Sequence, residues 1–166
     1  MAWGSNRASQ WLAAAALLPL LLFQVHIDEY QTRFDKEKNP VRRAKLMDKL
    51  GDLQFEQIRA DVRDDDLDRG AKVLDSYVDD CETAHKDLKG TGADAERKPD
   101  GFKQLQVSVR ANLLRLDKMM TDIDAEERKP FLTAKKKLED LDKELIHELF
   151  PRQPDGEARD NKKEKK

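Results

Sequence analysis

Two short patterns in this chain have the spacing of metal ligands. Glu82-Thr83-Ala84-His85 and Glu144-Leu145-Ile146-His147 are both E-x-x-H, and residues three apart project from one face of a helix. A di-iron carboxylate site in a helical bundle is built from two such pairs, with one further carboxylate from each of the other two helices. Helical geometry of about 100° per residue separates the two pairs. His85 falls on an apolar seam with Leu74, Val78 and Cys81, with Glu82 on its flank, whereas His147 falls about 180° from Leu138 and faces away from the last helix's seam. Glu56, on the first long helix, is also on a polar side, and the third has no glutamate. The expectation is no bound metal or cofactor, with a metal-binding bundle using Glu82, His85, Glu144 and His147 as the alternative.

An acidic run offers a second metal pattern. Asp64, Asp66 and Asp68 have the spacing of the first three ligands of a calcium-binding EF-hand loop, and Asp75 stands at the twelfth position. The sixth position needs glycine for its sharp turn but is Arg69, with Gly70 one residue late. A capped turn between two helices explains the same residues. Cys81 lies one helical turn before His85, the spacing of a thiol–imidazole pair, but apolar surroundings raise a thiol's pKa and blunt it as a nucleophile. The chain has no glycine-rich phosphate loop, nucleophile elbow or zinc-type cysteine pair, so no catalytic residue is expected. Lys135–Lys137 and Lys162–Lys166 are interleaved with acids or followed by them, which fits solvated surface better than a nucleic-acid site.

The elements that would hold these residues read as helices from Ile27 onward. A short amphipathic piece, Ile27–Lys38, ends before Asn39-Pro40, an N-cap with proline at the first helical position. The next helix carries Leu46, Met47, Leu50, Leu53 and Ile58 at three- and four-residue steps. Gly51 interrupts it at a cost of about 1 kcal/mol relative to alanine, and suits close contact with another helix. Asp65 or Asp66 would cap a second helix with the seam Leu67, Ala71, Leu74, Val78, Cys81, His85, Leu88. The short turn makes these two antiparallel, a hairpin over 41–88. A polar linker, 89–101, leads to a second hairpin over 102–150, with Asp100 as its expected cap. Its seams are Phe102, Leu105, Val109, Leu113, Leu116, Met120, Ile123 and then Phe131, Ala134, Leu138, Leu141, Leu145, Leu149. The fold class is all-α, a four-helix bundle or a stack of two hairpins.

Two compositional extremes frame that domain. Trp11–Phe23, WLAAAALLPLLLF, has no charge in a chain that is otherwise 40% charged, with Arg7 ahead of it and Asp28 and Glu29 behind. This is the pattern of an export signal, although no small-residue cleavage site follows the apolar core. Residues 1–27 are therefore read as a signal peptide or uncleaved N-terminal membrane anchor, and the protein as periplasmic or secreted, with membrane contact only through 11–27 if the segment is uncleaved. Residues 151–166, almost without apolar side chains, are read as a disordered charged tail. Cys81 is the lone cysteine, which excludes an internal disulfide, and the net charge of −2 argues against a phosphate-backbone partner.

The stretch DDDLDRGAKVLDSY, residues 64–77, resembles the turn and second helix of a tetratricopeptide repeat, with Leu67 where an aromatic is usual. That resemblance implies a helical hairpin. The region from Asp28 to Arg152 is similar to uncharacterised exported helical proteins of soil acidobacteria, which implies export and no particular activity. The expected function is a non-enzymatic protein-interaction or structural module of the cell envelope, binding a partner or itself through helix faces. Leu132, Ile146 and Phe150, about 100° round from the last helix's main seam, are the candidate contact residues.

Overall fold

A computed structural model describes residues 26–151. The expected leader, the predicted cut or anchor boundary apart from residues 26 and 27, and the tail beyond Pro151 lie outside the described residues. Within them the chain is all-α, with no strand. α1 spans 26–36, α2 Pro40–Arg63, α3 Leu67–Gly90, α4 Phe102–Met119 and α5 Lys129–Leu149. A 3-10 turn, Met120–Asp122, follows α4. No helix among the described residues is long and apolar enough to cross a membrane.

The ends of the helices follow from local chemistry. Asn39 accepts a hydrogen bond from the backbone of Arg42 at 3.0 Å and Pro40 opens α2. At the other end Asp65 adopts a left-handed conformation with φ 61°. Its N–H donates to Val62, and the N–H of Asp66 donates to Asp61 at 2.8 Å. That is a Schellman closure with aspartate where glycine is usual. Asp66 then caps α3 by accepting from the Arg69 backbone at 3.3 Å. Three residues thus end one helix and start the next. The expected cap Asp100 is not the one used: Gly101 caps α4 at φ 86° without a side-chain hydrogen bond. A side chain there would meet Leu88 at 2.6 Å, so close packing and backbone geometry select glycine over a capping acid.

Two antiparallel hairpins, α2–α3 and α4–α5, lie side by side as a four-helix bundle. α2 runs beside α4 in the same direction, as the contacts Met47–Ser108 and Asp52–Arg115 require. α3 runs beside α5, joined from Gly70–Phe131 at one end to His85–Glu148 at the other. The buried seams named from the sequence meet in one apolar core, which includes Met47, Leu50, Ile58, Leu74, Leu105, Leu116, Phe131, Leu138 and Leu145. At Gly51 α2 lies tightly against side chains of both α3 and α4. A Cβ there would stand 2.7 Å from Asn112 Nδ2 and 2.9 Å from Tyr77 Cε2.

α1 is strapped across the first hairpin. Ile27 and Phe34 are buried, Arg43 lies over the Phe34 ring at 5.6 Å, and Gln31 Nε2 donates to Asp80 Oδ1 at 2.9 Å. Ile27, expected at the end of the leader, is helical and packed against the described domain.

Candidate functional site

The two E-x-x-H pairs converge on one groove. Glu82 and His85 of α3 and Glu144 and His147 of α5 all line a cleft of about 960 Å³ between these helices, together with Lys86, Lys89, Lys137 and Lys143. Parallel packing of α3 on α5 brings the pairs together, which the one-helix geometry does not reveal. His147 is exposed, as its position opposite the seam requires, yet it still borders the groove.

What the groove holds is an ion-pair cluster. His85 is 5% exposed, and its Nε2 lies 2.8 Å from Glu148 Oε2. Its Nδ1 is 3.9 Å from Glu144 Oε2. Lys89 Nζ lies 3.1 Å from both Glu144 and Glu148, and these carboxylates raise its pKa, hydrogen bonding from Glu144 first. An ammonium therefore occupies the position between the carboxylates that a cation would take. Among the described residues no group of three or more His, Cys, Asp or Glu is arranged to hold a metal ion. Sequence reasoning missed Glu148, the nearest partner of His85. Its signal was present, since Glu144 and Glu148 are one turn apart on the same face.

The acidic turn is taken up by the closure and capping described above. α3 begins at Leu67, so Asp68 stands in its first turn and Asp75 two turns further on, an arrangement unlike an EF-hand loop. Asp61, not singled out in the sequence, is buried behind this turn. Its Oδ1 accepts from Gln57 at 2.6 Å and lies 3.6 Å from Arg69. Burial pushes its pKa up, with smaller contributions from the charges of Asp66 and Asp64.

Cys81 is fully buried, and burial pushes its thiol well above the usual range. His85 turns its nitrogens to Glu148 and Glu144, away from a role as base for the thiol. Nearby, Asn112 Nδ2 donates to the Tyr77 hydroxyl at 2.8 Å, and Arg115 Nη1 donates to Asn112 at 3.2 Å and to Asp52 at 2.5 Å. Burial drives the Tyr77 phenol well above its ordinary pKa, so it stays neutral. The chain from Tyr77 to Asp52 fastens three helices and leads out to solvent only at its ion pair.

The candidate contact residues divide. Leu132 is 51% exposed and Phe150 54%, at opposite ends of α5, and Ile146 is half-buried. Eighteen positions at 1.5 Å each separate Leu132 from Phe150 by roughly 27 Å, with Lys136, Glu139 and Lys143 between them on the same face. α4, not foreseen as a surface, carries Val107 at 54% and Leu114 at 64% exposure. Exposed Ala111 stands between them, so the three fall at i, i+4 and i+7 on one line. The sequence signal was there, but the stronger seam of Leu105, Val109 and Leu116 on the same helix hid it.

Comparison with protein-family models, with characterised proteins and with solved structures finds no match to this chain.

Proposed function

We propose that the chain is a non-enzymatic interaction module of the cell envelope, carried out of the cytoplasm by Trp11–Phe23 and bound to its partner through the outer face of α4. The observation that carries this reading is the line Val107–Ala111–Leu114, which includes two of the four exposed large apolar side chains of the described residues. Single exposed apolar residues are ordinary, but aligned ones rimmed by polar groups mark interaction surfaces. The mechanism is helix-face recognition, with spaced apolar anchors on one helix meeting a complementary stripe. Leu132 and Phe150 supply further apolar contact at the ends of α5. The test is site-specific photo-crosslinking in cells, with the crosslinker at 107 or 114 and, for comparison, at Asp75 or Asp79 on exposed α3. A discrete envelope-protein adduct from α4, abolished by Val107→Glu with Leu114→Glu, is expected. Equal labelling from α3, or protein confined to the cytosol, rules the reading out.

A second reading, metal binding in the α3–α5 groove, is favoured by one observation: all four E-x-x-H residues border the same cleft. It requires Lys89 to yield its place to the ion. Titration of the purified protein with zinc or iron, followed by calorimetry, decides it. Stoichiometric binding lost in both Glu144→Gln and His85→Ala supports the metal, and no heat of binding rejects it.

A further inference from the structure

The charge around the α4 stripe defines its partner. α4 carries Lys103, Arg110, Arg115 and Lys118 against a single acid, Asp117, in a chain of net charge −2. Arg110 pairs with Asp142 at 3.7 Å, Arg115 with Asp52 at 2.5 Å, and Asp117 with Lys135 at 2.7 Å. Lys103 and Lys118 have no such partner among the described residues, and both are exposed. Each lies four residues beyond an end of the apolar line, on the same face. The face therefore reads lysine, valine, alanine, leucine, lysine, with the charges roughly 22 Å apart along the axis at 1.5 Å per residue.

This pattern disfavours a second copy. If two α4 helices met in parallel, Lys103 would face Lys103 and Lys118 would face Lys118. If they met antiparallel, each Lys103 would face a Lys118. Both arrangements place like charges at each end of a contact with only two large apolar side chains per helix, and such juxtaposition is repulsive. An anionic bilayer suits the lysines but not their surroundings. Asp52 edges the face, with exposed Asp48 and Glu56 one turn to either side. A broad anionic sheet would meet those carboxylates, whereas a single helix about 10 Å wide passes beside them.

We propose that the outer face of α4 receives an amphipathic helix of another protein, whose apolar stripe is bracketed by carboxylates that pair with Lys103 and Lys118. This rests on the reading of α4 as the interaction surface and adds the partner's charge to it.

The experiment uses the full-length chain purified in a non-ionic detergent and two stapled helical peptides. Both peptides have leucine at the a and d heptad positions; one has glutamate and the other lysine at e and g. Binding is followed by isotope-edited NMR and fluorescence anisotropy. The glutamate peptide is expected to bind at least tenfold more tightly than the lysine peptide, with shifts centred on Val107, Ala111 and Leu114. Lys103→Glu with Lys118→Glu should reverse that order without altering the helical circular-dichroism spectrum. Equal binding of both peptides at α4 overturns the charge selection while leaving α4 as a surface. Absence of binding, or shifts mapping elsewhere, removes both. Two further results overturn the proposal: concentration-dependent dimers in sedimentation equilibrium, or binding to phosphatidylglycerol vesicles that falls tenfold in the lysine-reversed variant.

Discussion

Gly51→Ala tests the packing argument most directly, because two effects of opposite sign act at one atom. Replacing glycine within a helix gains about 1 kcal/mol of intrinsic propensity. Against it, the new methyl would stand 2.7 Å from Asn112 Nδ2 and 2.9 Å from Tyr77 Cε2. Overpacking a filled core costs about 1–3 kcal/mol. Displacing Asn112 also breaks its 2.8 Å hydrogen bond to the buried Tyr77 hydroxyl, which keeps its contacts with Ser108 and Cys81. Losing one of several hydrogen bonds costs about 0.5–1.5 kcal/mol. The unfavourable contributions win, and a net loss of about 2 kcal/mol is expected, or a fall in Tm of about 8 °C at roughly 4 °C per kcal/mol for a domain of this size. Thermal and urea unfolding monitored by circular dichroism would measure it. In an Asn112→Ala background half of the clash is already gone, so the same alanine should cost at least about 1 kcal/mol less, a coupling expected of residues in contact. An unchanged or raised Tm for Gly51→Ala would show that α2, α3 and α4 are not packed as described.

Four further expectations follow from the same structure. Asp80 is buried, accepts from Gln31 and Gln54, and has its pKa raised chiefly by burial. Its ionised form is thus disfavoured in the folded state, a penalty present at neutral pH and relieved as pH falls through the raised value toward the ordinary aspartate range of about 4. Asp80→Asn should match or exceed the wild-type Tm at pH 7, since the unpaired Gln54 Oε1 can accept from the new amide, and lose that advantage at pH 4. A variant less stable by the same margin at both pH values would refute this. Asp65→Gly should raise stability by about 0.5–1 kcal/mol in urea titrations by relieving the left-handed backbone; a loss would show that the Asp65 side chain itself stabilises the turn. Cys81 should resist Ellman's reagent in native protein and react fully once urea unfolds the bundle, whereas rapid native labelling would contradict its burial. Deleting Trp11–Phe23 should shift the protein from the envelope or periplasmic fraction to the cytosol; full-length, tryptophan-bearing protein in the wild-type cytosol would sink the export reading.

Helix identity and polarity were legible because they depend on nearby residues. Asn39-Pro40 and Asp66 start helices through groups within three positions, and the three-to-four-residue recurrence of Leu74, Val78, Cys81 and Leu88 names a buried face without reference to its partner. Asp100 failed as a cap for a reason no local rule contains, the crowding of Gly101 by Leu88 and Val41 from two other helices. The E-x-x-H pairs show the same limit: one-helix geometry placed His147 outside, correctly, but could not show that α3 and α5 run side by side and leave both pairs on one groove. Nor could it supply Glu148 and Lys89 as the groups that satisfy His85.

By itself the sequence determined that the chain after its apolar leader forms amphipathic helices with given faces and ends, since 3.6-residue periodicity and capping are properties of a single segment. Only the tertiary structure decided which side chains share a site and why Gly51 must be small. Those depend on the distance and direction between helices far apart in the chain, and periodicity within one helix carries no information about either.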